Sequence, residues 1–161
     1  MILWSTRVVL EPISPGLARR IIAREEQPGD NWHPEYPHPD ELDPLRSLAD
    51  ATTSDPNFTM YMIRRSSDGQ AVGGFGFFGP PDEHGVVEFD YGLVPAGRGA
   101  GLATEAVALA LDHARDCGAT IATADTAGDN AASQRVLVRS GFTETGRRDS
   151  LLFYQRALAA R

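Results

Sequence analysis

Apolar and polar positions fall into segments whose periods change along the chain. Leu3 to Leu10 is a β-compatible run that Pro12 ends. From Pro15 to Glu26, Leu17, Ile21 and Ile22 stand at i, i+4 and i+5, which predicts a helix with one apolar side. Gln27 to Asp40 holds four prolines with aromatics between them. That density breaks any regular element yet is too rigid for a disordered linker, so a structured loop beside a cleft is expected. A short helix follows, with Asp43 as N-cap, Pro44 at its first position and an end near Asp50.

Phe58 to Arg65 and Gln70 to Phe78, separated by the turn Ser66-Ser67-Asp68-Gly69, read as a hairpin. Gly85 to Val94 is the next strand. Val87, Phe89, Tyr91 and Leu93 alternate there with Val86, Glu88, Asp90 and Gly92, so two carboxylates share one face, which is either solvent or a site. Ala103, Val107, Ala110 and Ala114 mark a helix ending around Gly118, and Ala119 to Ala124 is a strand. Asn130 to Ser140 reads as a helix closed by a left-handed Gly141, with Phe142 placed for the hydrophobic contact of a Schellman end. Strands at Thr143 to Arg148 and Ser150 to Leu158 complete the order β-α-α-β-β-β-α-β-α-β-β. With no repeat and no interior linker, this predicts one α/β domain over residues 1–161, a mixed sheet with helices on its faces.

Composition narrows the class without choosing the chemistry. The 161 residues are 42% hydrophobic and 23% charged, enough for one sizeable core. No apolar run approaches the roughly 20 residues of a membrane span, and the N-terminus lacks a basic leader with a small-residue cleavage site. Cys117 is the sole cysteine, which excludes an intramolecular disulfide framework and points to a reducing cytoplasm. Fifteen Lys and Arg against 22 Asp and Glu give a net charge of −7, which argues against nucleic acid and for cationic partners.

The chemistry lies between Leu93 and Glu105, LVPAGRGAGLATE, where a strand ends, a glycine-rich loop turns and a helix begins. Gly97, Gly99 and Gly101 permit positive φ and close approach of a ligand. Successive amides and the helix N-terminus then form an anion-binding nest suited to a pyrophosphate. A P-loop would need Lys followed by Ser or Thr where Leu102 and Ala103 stand. A dinucleotide fingerprint would follow the first strand of a βαβ unit, with Asp125 as its acidic residue, whereas this loop follows an antiparallel hairpin. The third pattern is R-x-x-G-x-A, filled by Arg98, Gly101 and Ala103, and after it come Thr104-Glu105-Ala106, Asn130-Ala131-Ala132-Ser133, Val136-Leu137 and Gly141-Phe142. In this series the chain resembles the GNAT superfamily of acyl-coenzyme-A-dependent N-acetyltransferases, in the branch of the ribosomal-protein N-terminal (Rim-type) enzymes.

The resemblance implies a single-domain GNAT fold whose fourth and fifth strands, here Glu88 to Val94 and Ala119 to Ala124, splay apart around acetyl-CoA. Pantetheine would pair with Leu93 and Val94, and the pyrophosphate with the amides of Arg98, Gly99, Ala100, Gly101, Leu102, Ala103 and Thr104. Asn130 and Ser133 would face the pantetheine arm and the thioester sulfur. An amine attacks only when neutral, and a lysine-type amine has a pKa of about 10.4, so a base is required. Glu88 matches the family's acidic position and Asp90 is the second choice. The free N–H of Val94 would hold the oxyanion. The tyrosine that many members use to protonate the thiolate is Leu137 here, which leaves Ser133 as its partner, with an i−4 backbone bond as the plain alternative.

Other residues carry weaker readings. Tyr91 is a second acid or packing. Trp32 and Tyr36 would line the acceptor pocket, and Phe78 is placed in the core. His33, Glu35, His38 and Asp40 show no metal-ligand spacing, so no metal is expected. His84 and His113 are expected to be exposed, and Cys117 to be a small hydrophobe without a histidine partner. Leu151, Leu152, Phe153 and Leu158 would bury the edge of a homodimer. The reaction expected is direct acetyl transfer from acetyl-CoA to a primary amine, on a protein N-terminus or a small molecule, without nucleic acid, membrane or metal. The alternative is a non-catalytic acyl-CoA-binding sensor.

Overall fold

A computed structural model describes residues 1–52 and 55–158; of the single domain expected over 1–161, residues 53–54 and 159–161 lie outside the described residues. The first expected strand is two, β1 (Leu3–Trp4) and β2 (Val8–Pro12), folded back on each other. The break has a long-range cause. Glu105, a hundred residues away, takes the Ser5 hydroxyl at 2.5 Å, the Arg7 amide at 2.6 Å and Arg7 Nε at 2.9 Å. These bonds hold Ser5 to Arg7 in a turn.

Helix α1 (Pro15–Ala23) starts on Ser14, whose Oγ accepts the Leu17 amide, and ends when Arg24 turns left-handed, short of the expected Glu26. The next helix begins earlier than expected. His38 Nδ1 accepts the Asp40 amide at 3.1 Å and Pro39 opens a 3-10 turn (Pro39–Glu41) that runs straight into α2 (Leu42–Ala49). Asp43 is therefore not the N-cap. Pro44 sits third in α2, still within the first turn, where an amide hydrogen has no helical acceptor and its loss costs nothing.

The remaining elements are β3 (Met60–Arg65), β4 (Ala71–Phe77), β5 (Val86–Leu93), α3 (Leu102–Asp116), β6 (Ile121–Ala127), α4 (Ala131–Arg139), β7 (Thr143–Arg148) and β8 (Leu151–Ala157). They form one eight-stranded sheet in the order β1-β2-β3-β4-β5-β6-β8-β7. β3 and β4 are buried on both faces, and the apolar side of β5 joins them through Phe75 stacked on Phe89 at 5.1 Å and Phe142 edge-on to Phe89 at 5.6 Å. Ala106, Val107, Ala110, Leu111 and Ala114 of α3 are buried against this core. The end of α4 is a Schellman motif bond for bond: Phe142 N–H donates to Leu137 O, Gly141 N–H to Val138 O, and Gly141 has φ +87°.

One pairing organises the site. β5 and β6 are parallel and bonded only where Val86, Val87 and Glu88 face Ile121, Ala122 and Thr123. Beyond Glu88, β5 follows β4 to Leu93 and β6 follows β8 to Ala127, so the two strands part with no ladder between them. Of the four residues expected at a dimer edge, Leu152 and Leu158 belong to the chain's own core, Leu151 is exposed and Phe153 half-buried, and their strand β8 lies between β6 and β7. The edge is β7, TETGRR, exposed and polar. No helix among the described residues is long and apolar enough to cross a membrane.

Candidate active site

A cavity of about 1460 Å³ passes through the gap between β5 and β6, larger than a single small-molecule site needs. On one side it meets the loop ahead of α3. Gly99 and Gly101 have φ +86° and +77°, and Gly101 is the cap residue of α3. The first helical bond runs from Glu105 N–H to Gly101 O, so the amides of Leu102, Ala103 and Thr104 precede any helical acceptor. Arg98, Gly99, Gly101, Leu102, Ala103 and Thr104 all line the cavity. Ala100 does not; its carbonyl is held from outside by Arg7 Nη1 at 2.5 Å. This is the geometry of an anion nest, and Arg135 and Arg139 of α4 also line the cavity.

Val94 departs from expectation. Its N–H donates to Val72 O at 2.8 Å and its carbonyl accepts from Gly97 N–H, so it offers no free amide for an oxyanion and does not line the cavity. The pleat explains why. Val94 and Glu88 both bond toward β4, hence the main-chain groups of Tyr91 and Leu93, of opposite parity, point toward the gap. Tyr91 N–H is taken by the Asp90 carboxylate at 2.8 Å and Leu93 O by Arg98 Nε at 3.0 Å, which leaves the Leu93 N–H as the amide directed into the gap.

Across the gap, Asn130 and Ser133 line the cavity at the start of α4. Asn130 Oδ1 caps the helix through the Ser133 amide at 3.1 Å. The Ser133 hydroxyl does not bond back along its own helix. It lies 3.1 Å from the Tyr91 hydroxyl, so a phenol from β5 and a serine from α4 meet over the splay. Burial pushes the Tyr91 pKa up, the Ser133 hydrogen bond opposes the rise, and the Asp90 charge adds to it, so the phenol keeps its proton at neutral pH.

The lining contributed by the 3-10 turn, α2 and β5 is acidic: Asp40, Glu41, Asp43 and Asp90 stand there, with Asp55 and the β6 residue Asp125 also on the cavity, among the apolar surfaces of Leu48, Met60 and Phe78. Asp90 stands on the carboxylate face of β5, opposite Gly76. Asp90 is exposed toward the cavity; the partial cover over its carboxylate pushes its pKa up, the Tyr91 amide pulls it down, and Asp125 and Asp40 push it further up. Glu88, expected as the base, is likewise exposed and has a pKa raised by burial, Asp125 and Asp90, but it stands where β5 and β6 are still paired and does not line the cavity.

Glu41 was missed by sequence reasoning. It is 7% exposed, and both carboxylate oxygens are without a hydrogen-bond partner. Burial, then Asp90 and Asp40, raise its pKa from the ordinary 4.5 to about 8. Between those values the unfolded chain has released a proton that the folded protein keeps. Stability therefore falls as pH rises through that window, by up to about 1.4 kcal/mol per pH unit. Denaturant titrations from about pH 5 to 8 should show this slope in the native protein and its loss in Glu41→Gln; equal slopes would contradict the assignment.

The remaining expectations sort cleanly. Trp32 and Tyr36 are buried in the core and do not line the cavity, whereas Phe78, expected in the core, is 64% exposed and does. His113 is buried, not exposed: Nε2 is 3.0 Å from Asn57 O, among Phe58 and Tyr61. Cys117, one turn on, has Sγ 3.8 Å from His113 Nε2, so it does have a histidine neighbour. Burial, Asp116 and Asp55 nevertheless raise the thiol pKa, and the pair does not line the cavity. His84 is exposed as expected. Among the described residues no group of His, Cys, Asp and Glu could hold a metal ion.

Comparison with known proteins agrees with the geometry. The family model of the acetyltransferase (GNAT) domain matches residues 7–143. No curated protein matches the sequence. Among solved structures, a ribosomal-protein alpha-N-acetyltransferase, RimL, in complex with coenzyme A superposes with a TM-score of 0.75 at 15% identity, covering 100% of both chains. A ribosomal-protein-S5-alanine acetyltransferase from Vibrio fischeri gives 0.70 at 15%, covering 98% of this chain and 96% of that one. A GNAT-family acetyltransferase from Bordetella pertussis gives 0.65 at 26%, covering 98% and 99%. With a family match over most of its length and a turn of free amides opening on a splayed strand pair, the chain belongs to the GNAT acetyltransferase family.

Proposed function

We propose that the protein transfers the acetyl group of acetyl-CoA to a primary amine by direct attack in a ternary complex, at the gap between β5 and β6. The observation that carries this is the polarity of one continuous cavity, lined by the free amides ahead of α3 and by the carboxylates of the 3-10 turn, α2 and β5. Coenzyme phosphates suit the amides and an ammonium the carboxylates. RimL is an alpha-N-protein acetyltransferase of ribosomal L7/L12 and the Vibrio fischeri enzyme a ribosomal-protein-S5-alanine acetyltransferase, which supports an amine acceptor and leaves a small-molecule amine equally compatible.

Each step has a group in place. Asp90, inside the cavity with a raised pKa, takes the proton from the bound ammonium, directly or through water, in place of Glu88. The Leu93 N–H meets the oxyanion of the tetrahedral intermediate. The Tyr91 hydroxyl, bonded to Ser133, supplies a proton to the departing thiolate, which restores on two elements the function of the tyrosine replaced by Leu137. A thiolate leaves tolerably without an acid, so this last contribution is smaller than the base's. Release of coenzyme thiol from acetyl-CoA that requires added amine tests the reading.

A further inference from the structure

We propose that Glu41 is the acceptor-recognising residue: its carboxylate receives the ammonium of a primary amine that bears no carboxylate of its own. This rests on the amine-transfer reading and names the substrate class for the same cavity.

The carboxylate sits in a built place. A Cβ on Gly74 would stand 2.5 Å from Glu41 Oε2, so the bare backbone of β4 is what makes room for it. Gly74 pairs with Gly92 and Gly76 with Asp90, which puts Asp90 diagonally beside that place on the same sheet face. A Cβ on Gly92 would meet nothing within 4 Å, so open space lies next to both carboxylates. Glu41 lines the cavity, yet both its oxygens are shielded from solvent and unsatisfied, so an acceptor that seats against it and displaces the covering side chains supplies the partner that the fold does not.

That partner is a cation. The charged groups around Glu41 are Asp90 on β5 and Asp40 beside it, both anionic, and the buried neutral phenol of Tyr36. Other nearby charges are already engaged: Arg64 by Glu11 at 2.6 Å, Asp43 by Arg46 at 2.9 Å, and Asp40 faces His38 at 3.5 Å. In the empty site the Glu41 carboxyl holds its proton at neutral pH. An ammonium docking against it favours the ionised form, so the carboxyl proton passes to solvent while the ammonium keeps its own protons until Asp90 takes one. An acceptor with its own carboxylate would meet Asp40, Asp43 and Asp90 and be rejected.

The test uses three four-carbon probes, n-butylamine, 1,4-diaminobutane and 4-aminobutanoate, titrated into protein saturated with coenzyme A. Calorimetry in two buffers of different ionisation enthalpy counts protons. We expect both amines without a carboxylate to bind at pH 7 with release of about one proton, and 4-aminobutanoate to bind at least roughly 10-fold more weakly. Glu41→Gln should abolish the proton release and weaken amine binding about 30-fold or more, while acetyl-CoA affinity, as a check on folding, stays within about twofold. Glu41→Asp, which keeps a carboxylate, should retain the release. Equal binding and proton release in the native protein and Glu41→Gln would overturn the inference, as would failure of the native protein to bind either amine. Glu41-dependent binding without thiol release from acetyl-CoA would uphold it and sink the transfer reading instead.

Discussion

Gly99→Asp should weaken acetyl-CoA binding by about 30- to 300-fold without unfolding the protein. Gly99 has φ +86°, a conformation aspartate tolerates better than other side chains, and a Cβ there meets nothing within 4 Å, so the fold accepts the change. The new carboxylate opens onto the cavity wall where the free amides of α3 point. Like charges about 4 Å apart at an effective dielectric of 20 cost roughly 4 kcal/mol, and solvent at this exposed loop reduces that, which sets the range. Gly101→Asp is the weaker test, because its Cβ would lie 3.2 Å from Arg7 Nη2 and the guanidinium would neutralise part of the charge. Titration calorimetry with acetyl-CoA reads the effect directly. Unchanged affinity in Gly99→Asp would show that the loop does not hold the phosphates.

Asp90→Asn should lower kcat/KM for any accepted amine by about 100- to 10,000-fold and leave acetyl-CoA affinity within about twofold. Because burial and the neighbouring carboxylates raise the Asp90 pKa, native activity should climb with pH until that group ionises, and this limb should vanish in the variant. Glu88→Gln, outside the cavity, should change the rate only several-fold. The opposite pattern, a severe loss in Glu88→Gln and a mild one in Asp90→Asn, would return the base to the position that the family resemblance alone suggests.

Local signals in the sequence were read well where their causes are local. The left-handed glycines before α3 and the Asn130 to Gly141 helix with its Schellman end depend on neighbours a few residues apart, and the structure reproduces both. The break between β1 and β2 depends on Glu105, and no periodicity within Leu3 to Leu10 announces it. Trp32 and Tyr36 lie in the core because the proline-rich segment is placed by tertiary contacts such as the bridge of Trp32 to Ala71, and Phe78, one residue past β4, faces the cavity.

With Asp43 as the N-cap, Glu41 lies in a loop; with the 3-10 turn included, Glu41, Leu45, Leu48 and Ala49 stand at i, i+4, i+7 and i+8 and share one buried stripe. A carboxylate on that stripe is the legible signal, and the helix boundary concealed it. His113 has a different cause: the expected helix already spans it, and its place at i+7 from Ala106 and i+3 from Ala110 puts it on the buried side of α3, one turn before Cys117. Glu88 and Asp90 share a strand face, and what distinguishes them in the structure, the end of the β5–β6 ladder at Glu88 and the cavity lining at Asp90, has no local mark in the sequence.

The most direct test of acetyl transfer within a ternary complex is coenzyme thiol release from acetyl-CoA, followed with purified protein alone and with n-butylamine or 1,4-diaminobutane added. The account predicts negligible release without amine, and with amine a steady release matched mole for mole by acetylated amine. Thiol release without amine, accompanied by acetyl group on the protein, or the absence of release with every amine despite bound acetyl-CoA, would contradict it.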